Sequence, residues 1–269
     1  MPSKTGNFLV KQIPRHQEIV ELVKKQGYVS TEELVERFNV SPQTIRRDLN
    51  ELADANKIRR YHGGATTPLS SENTSYITRK SLNFSEKDLI AASLVKHIPD
   101  GASLFIDIGT TPEAVARALC VQHKQLRVVT NNLNAATILL SNPEIKVILA
   151  GGEVRDHDGG IIGEATLDFI QQFRLDFGIL GISGIDNDGS LLDFDYHEVR
   201  VKQAIIENSR RVFLAVDHSK FGRNAMVKLG CISQVDALFT DQLPPENILS
   251  IINEHQLQIE VVSEHDHNE

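Results

Sequence analysis

From Ser85 onward, short apolar runs alternate with segments of helical periodicity, and this alternation restricts the fold more than any other feature of the chain. Strand-sized runs stand at residues 103–108, 126–130, 145–150, 177–182, 212–216 and 237–240. Helical segments stand at 87–98, 112–119, 133–140, 165–173 and 198–208. In the first of these Ile90, Ala91, Leu94, Val95 and Ile98 share one side. Alternating β and α units predict an α/β domain with a mostly parallel sheet covered on both faces. Hydrophobic residues make up 41% of the 269, which suffices for a packed core and excludes disorder of the whole chain. No apolar run approaches the ~18–20 residues of a membrane helix, so no membrane partner is expected.

In an open α/β sheet the carboxyl ends of the strands form the ligand crevice. Here those ends carry Asp107-Ile-Gly-Thr-Thr111, Asn131-Asn132, Gly151-Gly152, Gly181-Ile-Ser-Gly184 and Asp217-His-Ser-Lys220. Such small and polar residues suit a phosphorylated, hydroxylated ligand. Gly109, Thr110 and Thr111 precede Pro112 at a helix start, where backbone N–H groups and two hydroxyls can cradle a phosphate. Lys220 supplies a cation, and Asp107 and Asn131 can bond hydroxyls. The competing reading is that Gly and Asn merely make tight turns. Glu198 and Lys202 are four apart on the next helix, so they either face the crevice or form an exposed surface pair.

The first seventy residues follow a different pattern. Pro14 opens an amphipathic segment with Ile19, Val20, Leu22 and Val23, ended by Gly27. Ser30-Thr-Glu-Glu33 is a capping box before Leu34, Val35 and Phe38. Asn39 suits a left-handed turn, and Ser41-Pro42 restarts a helix with Ser as N-cap. Two short helices so joined predict a helix-turn-helix. On the second helix Ile45, Leu49 and Leu52 form the packed stripe. Gln43, Arg47 and Asn50 project oppositely, flanked by Thr44 and Arg46, while Asp48 lies beside the packed face and pairs locally. These residue types bond base edges or phosphates. The bland alternative is a solvated polar face. The segment from Lys57 to Ala65 reads as a basic strand turning at Gly63-Gly64, a β-wing that sets Arg59, Arg60 and His62 against DNA. A hairpin whose basic residues are merely solvated is the other reading.

The formal net charge of −8 conceals an asymmetry. Through Ala65 there are 11 Lys and Arg against 8 Asp and Glu, leaving 17 against 28 in the rest. A basic head on an acidic body keeps nucleic acid as an expected partner, which a uniform −8 would discourage. Cys120 and Cys231 form no CxxC, and the first residues, Met1 to Phe8, carry no charged block before an apolar one. A reducing cytoplasm and no signal peptide are therefore expected. The sequence has no GxGxxG after a strand, no GxxxxGK[ST] and no HExxH, so neither cofactor nor metal is expected.

Arg15, Ile19 and Val23, followed by Ser41-Pro-Gln-Thr-Ile-Arg-Arg-Asp-Leu49, resemble the DeoR family of bacterial transcriptional regulators. The body resembles the sensor domain of that family. The similarity is carried by Gly159 through Phe169, Gly181-Ile-Ser-Gly-Ile185, Asp195-Tyr-His-Glu-Val199 and Asp217-His-Ser-Lys-Phe-Gly222. The resemblance implies a winged helix-turn-helix domain over 12–67, a linker over 68–84, and a sugar-phosphate-sensing domain over 85–262. That domain would be similar in fold to ribose-5-phosphate isomerase and CoA transferases, and residues 263–269 are expected to be a disordered tail. It also implies a homo-oligomer, dimer or tetramer, that leaves operator double-stranded DNA when glycerol 3-phosphate binds. Asp107, Gly109, Thr110 and Thr111 match the phosphate loop of the fold. Asn131, Gly151, Gly181, Glu198, Lys202, Asp217 and Lys220 match sensor motifs. No complete catalytic acid/base set is matched, so no enzyme is expected. An isomerase or deaminase with a DNA-binding appendage, a sensor of another phosphosugar and a purely structural DNA-organising protein are the alternatives.

Overall fold

The computed structural model describes residues 15–23, 28–55, 57–61, 63–66 and 76–262. Pro14, Gly27, His62, Thr67, residues 68–75 of the expected linker and the tail 263–269 lie outside them. The chain divides into two compact units, Met1–Thr78 and Arg79–Glu269.

In the first unit a helix over 15–23 (α1) precedes β1 (Tyr28–Ser30), α2 (Thr31–Phe38), α3 (Pro42–Asp54), β2 (Arg59–Tyr61) and β3 (Gly64–Thr66). The expected caps are in place. Ser30 accepts from the backbone N–H of Glu33 at 3.0 Å, and Ser41 accepts from that of Thr44 at 3.2 Å. Asn39 turns the chain with φ +49°. Ile19, Leu34, Ile45, Leu49 and Leu52 meet in one core, so the polar face of α3 is left outward. The hairpin pairs Tyr61 with Gly64, with Gly63 at φ +82°. β1 was not expected. Its three residues are too short to show a period of two, yet they complete an antiparallel sheet of order β1-β3-β2.

The second unit holds a seven-stranded, wholly parallel sheet of order β15-β14-β12-β9-β4-β5-β6. Its strands are β4 (Ser103–Ile106), β5 (Arg127–Thr130), β6 (Lys146–Leu149), β9 (Leu175–Leu180), β12 (Ser209–Ala215), β14 (Ala237–Thr240) and β15 (Gln258–Val261). One face packs on α5 (Phe84–Val95), α6 (Thr110–Gln122) and α7 (Leu133–Leu139). The other packs on α8 (Glu164–Ile170), α9 (Tyr196–Glu207) and α10 (Glu246–Glu254). Against that second face also lies a small antiparallel sheet of β10 (Gly184–Ile185), β11 (Ser190–Asp193) and β13 (Val227–Cys231). A separate hairpin pairs β7 (Glu153–Val154) with β8 (Ile161–Ile162). The expected doubly covered α/β sheet is therefore present. The small antiparallel pieces and the α10–β15 unit were not anticipated, because two- to five-residue strands carry too little pattern. α5 also differs from the expected 87–98: it starts at Phe84 and gives way to turns after Val95.

The strand order places the site. From β4 the chain first winds outward through β5 and β6, then returns to β9 and winds the other way. The carboxyl ends of the adjacent β4 and β9 are thus the topological switch point, where their following loops diverge to opposite faces and leave a crevice.

Candidate anion-binding cleft and nucleic-acid interface

An open cleft lies at that switch point. Ile108, Gly109, Thr110, Thr111 and Pro112 after β4 form one wall, Gly181, Ile182 and Ser183 after β9 another. Arg79, Asp193, Glu198, Lys202 and Lys220 complete it. Gly109 has φ +138°, and a Cβ on Gly181 would stand 3.2 Å from the Pro112 ring, so both loops close over that ring because neither position has a side chain. α6 begins here with Thr110 and Thr111 nearly buried, its first N–H groups at the cleft.

Beneath this wall runs a chain of buried charges. Lys202 is 1% exposed and donates from Nζ to an Asp107 carboxylate oxygen, to Glu198 Oε1 at 3.0 Å and to the Gly181 carbonyl at 3.1 Å. Asp193 stands 3.6 Å from the same ammonium and takes a hydrogen bond from Ser183 at 2.8 Å. Glu198 Oε2 receives Arg155 Nη1 at 2.8 Å, and Arg155 also holds Asp158 at 2.7 Å and Asp195 at 3.0 Å. Burial alone would raise the Glu198 carboxyl, but Lys202 and Arg155 outweigh it and hold it at about 2. Asp107, more deeply buried, is pushed up to about 6 despite Lys202. Burial would lower Lys202, but Asp107, Glu198 and Asp193 overcome it and keep the ammonium charged.

Lys220 is the contrasting cation. Burial, with Arg223, Lys87 and Arg79 nearby, pushes it down to about 7, and Asp217 offsets this only in part. Asp217 is itself buried. It caps the 3-10 turn His218–Lys220 through Ser219 N at 3.0 Å and accepts from Asn83 Nδ2 at 2.8 Å. Lys220 and Lys87, with hydrogen bonds from the Ser219 hydroxyl and the Asn83 amide, overcome burial and hold its carboxyl at about 2.

Of the effector residues expected from sequence, Gly109, Thr110, Thr111, Gly181, Glu198, Lys202 and Lys220 line the cleft together. Asp107 lies directly under Lys202, and Asp217 lies behind Lys220. Asn131 and Gly151 line it nowhere. Asn131 is buried with Nδ2 on the Ile161 carbonyl at 3.2 Å, and the exposed Gly151 offers its carbonyl to Thr166 at 2.9 Å. The surface-pair reading of Glu198 and Lys202 is overturned, since both are buried. Sequence reasoning missed Arg79, Ser183, Asp193, Arg155 and Asp158. Ser183 stands in the strand-end motif Gly181-Ile-Ser-Gly184 and was open to assignment, whereas Arg79 stands in a stretch read as linker. Among the described residues, no group of three His, Cys, Asp or Glu is placed to hold a metal.

On the first unit, Ser41, Gln43, Arg46, Arg47 and Asn50 are exposed and Thr44 is half-buried, all on the outer side of α3. Arg60 of the wing donates to Asn50 Oδ1, so the wing and α3 present joined polar groups. Arg59 is half-buried beside it. Arg47 Nε pairs with Glu51 at 2.9 Å. Asp48 is buried, as expected, but its pairing is not local: Arg15 of α1, 33 residues earlier, donates to it through Nε at 2.5 Å and Nη2 at 2.9 Å, a partner that the sequence around α3 does not show.

Comparison with known proteins agrees with both halves of this geometry. Residues 15–71 match the DeoR-like helix-turn-helix domain, and residues 82–242 match the DeoR C terminal sensor domain. The chain is 65% identical over 252 residues to the glycerol-3-phosphate regulon repressor of Escherichia coli (strain K12), covering 94% of this chain and 100% of that one. It is 59% identical over 250 residues to the glycerol-3-phosphate regulon repressor of Haemophilus influenzae, covering 93% and 97%. Among solved structures, ribose 5-phosphate isomerase A from Methanocaldococcus jannaschii is similar at a TM-score of 0.38 and 16% identity, over 52% of this chain and 55% of that one. A capped helix-turn-helix with an outward polar face, a sensor-type α/β unit and full-length identity of this order make the chain a member of the DeoR family.

Proposed function

We propose that this chain is a transcriptional repressor of glycerol 3-phosphate catabolic genes. It binds operator DNA through α3 and the β2–β3 wing, and it leaves that DNA when glycerol 3-phosphate occupies the cleft. The observation that carries the effector reading is the meeting, in one cleft, of the α6 N-terminus, the Thr110 and Thr111 hydroxyls and the cations Arg79 and Lys220. Such a set neutralises a phosphate without relying on the net charge of an acidic unit. The carboxylates of Glu198 and Asp193 are at hand for hydroxyl groups. Gln43, Arg46, Arg47 and Asn50 with Ser41 and Thr44 read or hold the duplex, and Arg59 and Arg60 bind its backbone. His62 is assigned the same backbone role from its place in the sequence.

The cleft is read as a binding site without turnover. Of the cleft carboxylates, Glu198 is held at about 2 by two cations, far below the pKa near 7 that suits a general base at neutral pH, and Lys220, at about 7, is assigned to the anion and not to proton transfer. Asp107 is shielded below Lys202. A two-fold oligomer would set two heads on half-sites about one helical turn apart. The edge strand β6, with Ile148 and Leu149 exposed at 39% and 40%, favours self-association there. No helix among the described residues is long and apolar enough to cross a membrane, and a repressor of operator DNA works in the cytoplasm.

The test is operator binding by fluorescence anisotropy with glycerol 3-phosphate as titrant. Operator affinity should fall as effector rises, and by reciprocity operator DNA should weaken effector binding by the same factor. Unchanged operator affinity at saturating glycerol 3-phosphate sinks the effector assignment, and turnover in a phosphosugar panel revives the isomerase alternative.

A further inference from the structure

Arg79 belongs to α4 (Tyr76–Ser81), the short helix that crosses the division between the two units at residues 78 and 79. Its side chain is 14% exposed and lines the cleft that also holds Lys220. The guanidinium lies 3.5 Å from Asp158 Oδ2, and the same oxygen receives Arg155 at 2.7 Å. The backbone of Arg79 is held as well. The ammonium of Lys87, 3% exposed on α5, donates to the Arg79 carbonyl at 2.6 Å and to the Leu82 carbonyl. One residue of the connecting helix thus has its side chain in the cleft and its carbonyl fastened to the sensor core.

We propose that Arg79 couples the cleft to the DNA-binding unit: the anionic group of the effector draws its guanidinium away from Asp158, and the resulting shift of α4 reaches the residues that precede it. This rests on the reading that a phosphorylated polyol occupies the cleft. The exchange is favourable on two grounds. A guanidinium engages a phosphate through two parallel, charge-assisted hydrogen bonds, a geometry that the 3.5 Å contact with Asp158 does not have. Asp158 keeps Arg155 as a partner, so the departure of Arg79 strands no buried charge. Coupling requires that the effector interact differently with two arrangements of one element, and a cleft residue borne by the connecting helix meets that condition.

The test uses the full chain with Arg79→Gln and Arg79→Lys, and calorimetry establishes saturation with glycerol 3-phosphate for each. At saturation the operator affinity of the unaltered chain should fall by a factor in the usual range of about 5–150, and that of Arg79→Gln by less than about twofold. Arg79→Lys, which keeps the charge but loses the fork, should fall between them. If Arg79→Gln releases operator as fully as the unaltered chain, the coupling role is overturned and the effector reading stands. If the unaltered chain neither binds glycerol 3-phosphate nor releases operator, both fall. Should Arg79→Gln fail to fold or to bind the effector, hydrogen exchange of residues 76–82 in the unaltered chain decides. Protection there must change on occupancy, and unchanged protection overturns the proposal.

Discussion

Lys202 and Glu198 stand one turn apart on α9, their charged atoms 3.0 Å from each other, and both are buried under the cleft. This is a structural ion pair held inside a larger network, since the same ammonium also compensates Asp107 and Asp193. Its removal leaves buried carboxylates without their cation. Lys202→Met should therefore cost about 3–5 kcal/mol, the range for breaking a buried pair from one side. Adding Asp107→Asn should recover at least about 1 kcal/mol, because the stranded charge is then neutral. Urea unfolding of the single and double variants measures both, and a single-variant loss below about 1 kcal/mol would show that the network adds little.

The same pair marks how far the sequence could be read. Spacing of four places Glu198 and Lys202 on one helix face, but an exposed pair and a buried network have identical spacing. What decides between them is Asp107, 95 residues away, which no local pattern connects to α9. Local chemistry was legible where it acts locally: Ser30 and Ser41 as caps, Asn39 as the left-handed turn, and the β–α alternation. Asn131 and Gly151 sit at strand ends as expected, yet β5 and β6 lie beyond the switch point, so their loops open away from the cleft. Arg79 was illegible because a polar stretch reads as linker whether or not one of its side chains enters a pocket.

His218 offers a pH-dependent contact. Its Nδ1 lies 2.5 Å from Asp241 Oδ2, and this hydrogen bond raises the imidazole above its ordinary 6.5. A group whose folded pKa is raised stabilises fully below the unfolded value and loses that contribution as pH rises through the folded one. Asp241 also accepts from the backbone N–H of His218 at 2.6 Å, a contact that does not titrate with the ring. Asp241→Asn should therefore destabilise at every pH, and more at about pH 5.5 than at about pH 9. Urea unfolding across that range checks it, and an equal loss at both ends would rule out the imidazolium contribution.

Lys220 should make effector binding take up protons. Its ammonium is pushed down to about 7, so near pH 8 much of it is neutral in the empty cleft, and an anion beside it favours the charged form. A phosphate monoester, with a second pKa near ~6, is already dianionic there and releases no compensating proton. Calorimetry of glycerol 3-phosphate binding near pH 8 should show proton uptake as a dependence of the apparent enthalpy on buffer ionisation. Affinity should fall as pH rises from about 7 to 9. Lys220→Met should bind more weakly and lose the uptake, and uptake of the same size in that variant would reassign the proton.

Arg47 is 73% exposed on α3 and pairs with Glu51, 41% exposed, at 2.9 Å. The pair faces outward, so it is worth only about 0–1 kcal/mol and can open cheaply when the guanidinium turns to a base edge. Arg47→Ala should weaken operator binding by about 1–3 kcal/mol and affect a scrambled duplex much less, as a bidentate base contact requires. Glu51→Gln should act in the opposite direction on both duplexes, because it frees Arg47 and removes a negative charge from the face that meets phosphates. Anisotropy measured with both duplexes at two salt concentrations separates the cases. Equal losses on operator and scrambled DNA, with a salt slope reduced by about one, would make Arg47 a phosphate contact and leave base reading to Gln43, Arg46 and Asn50.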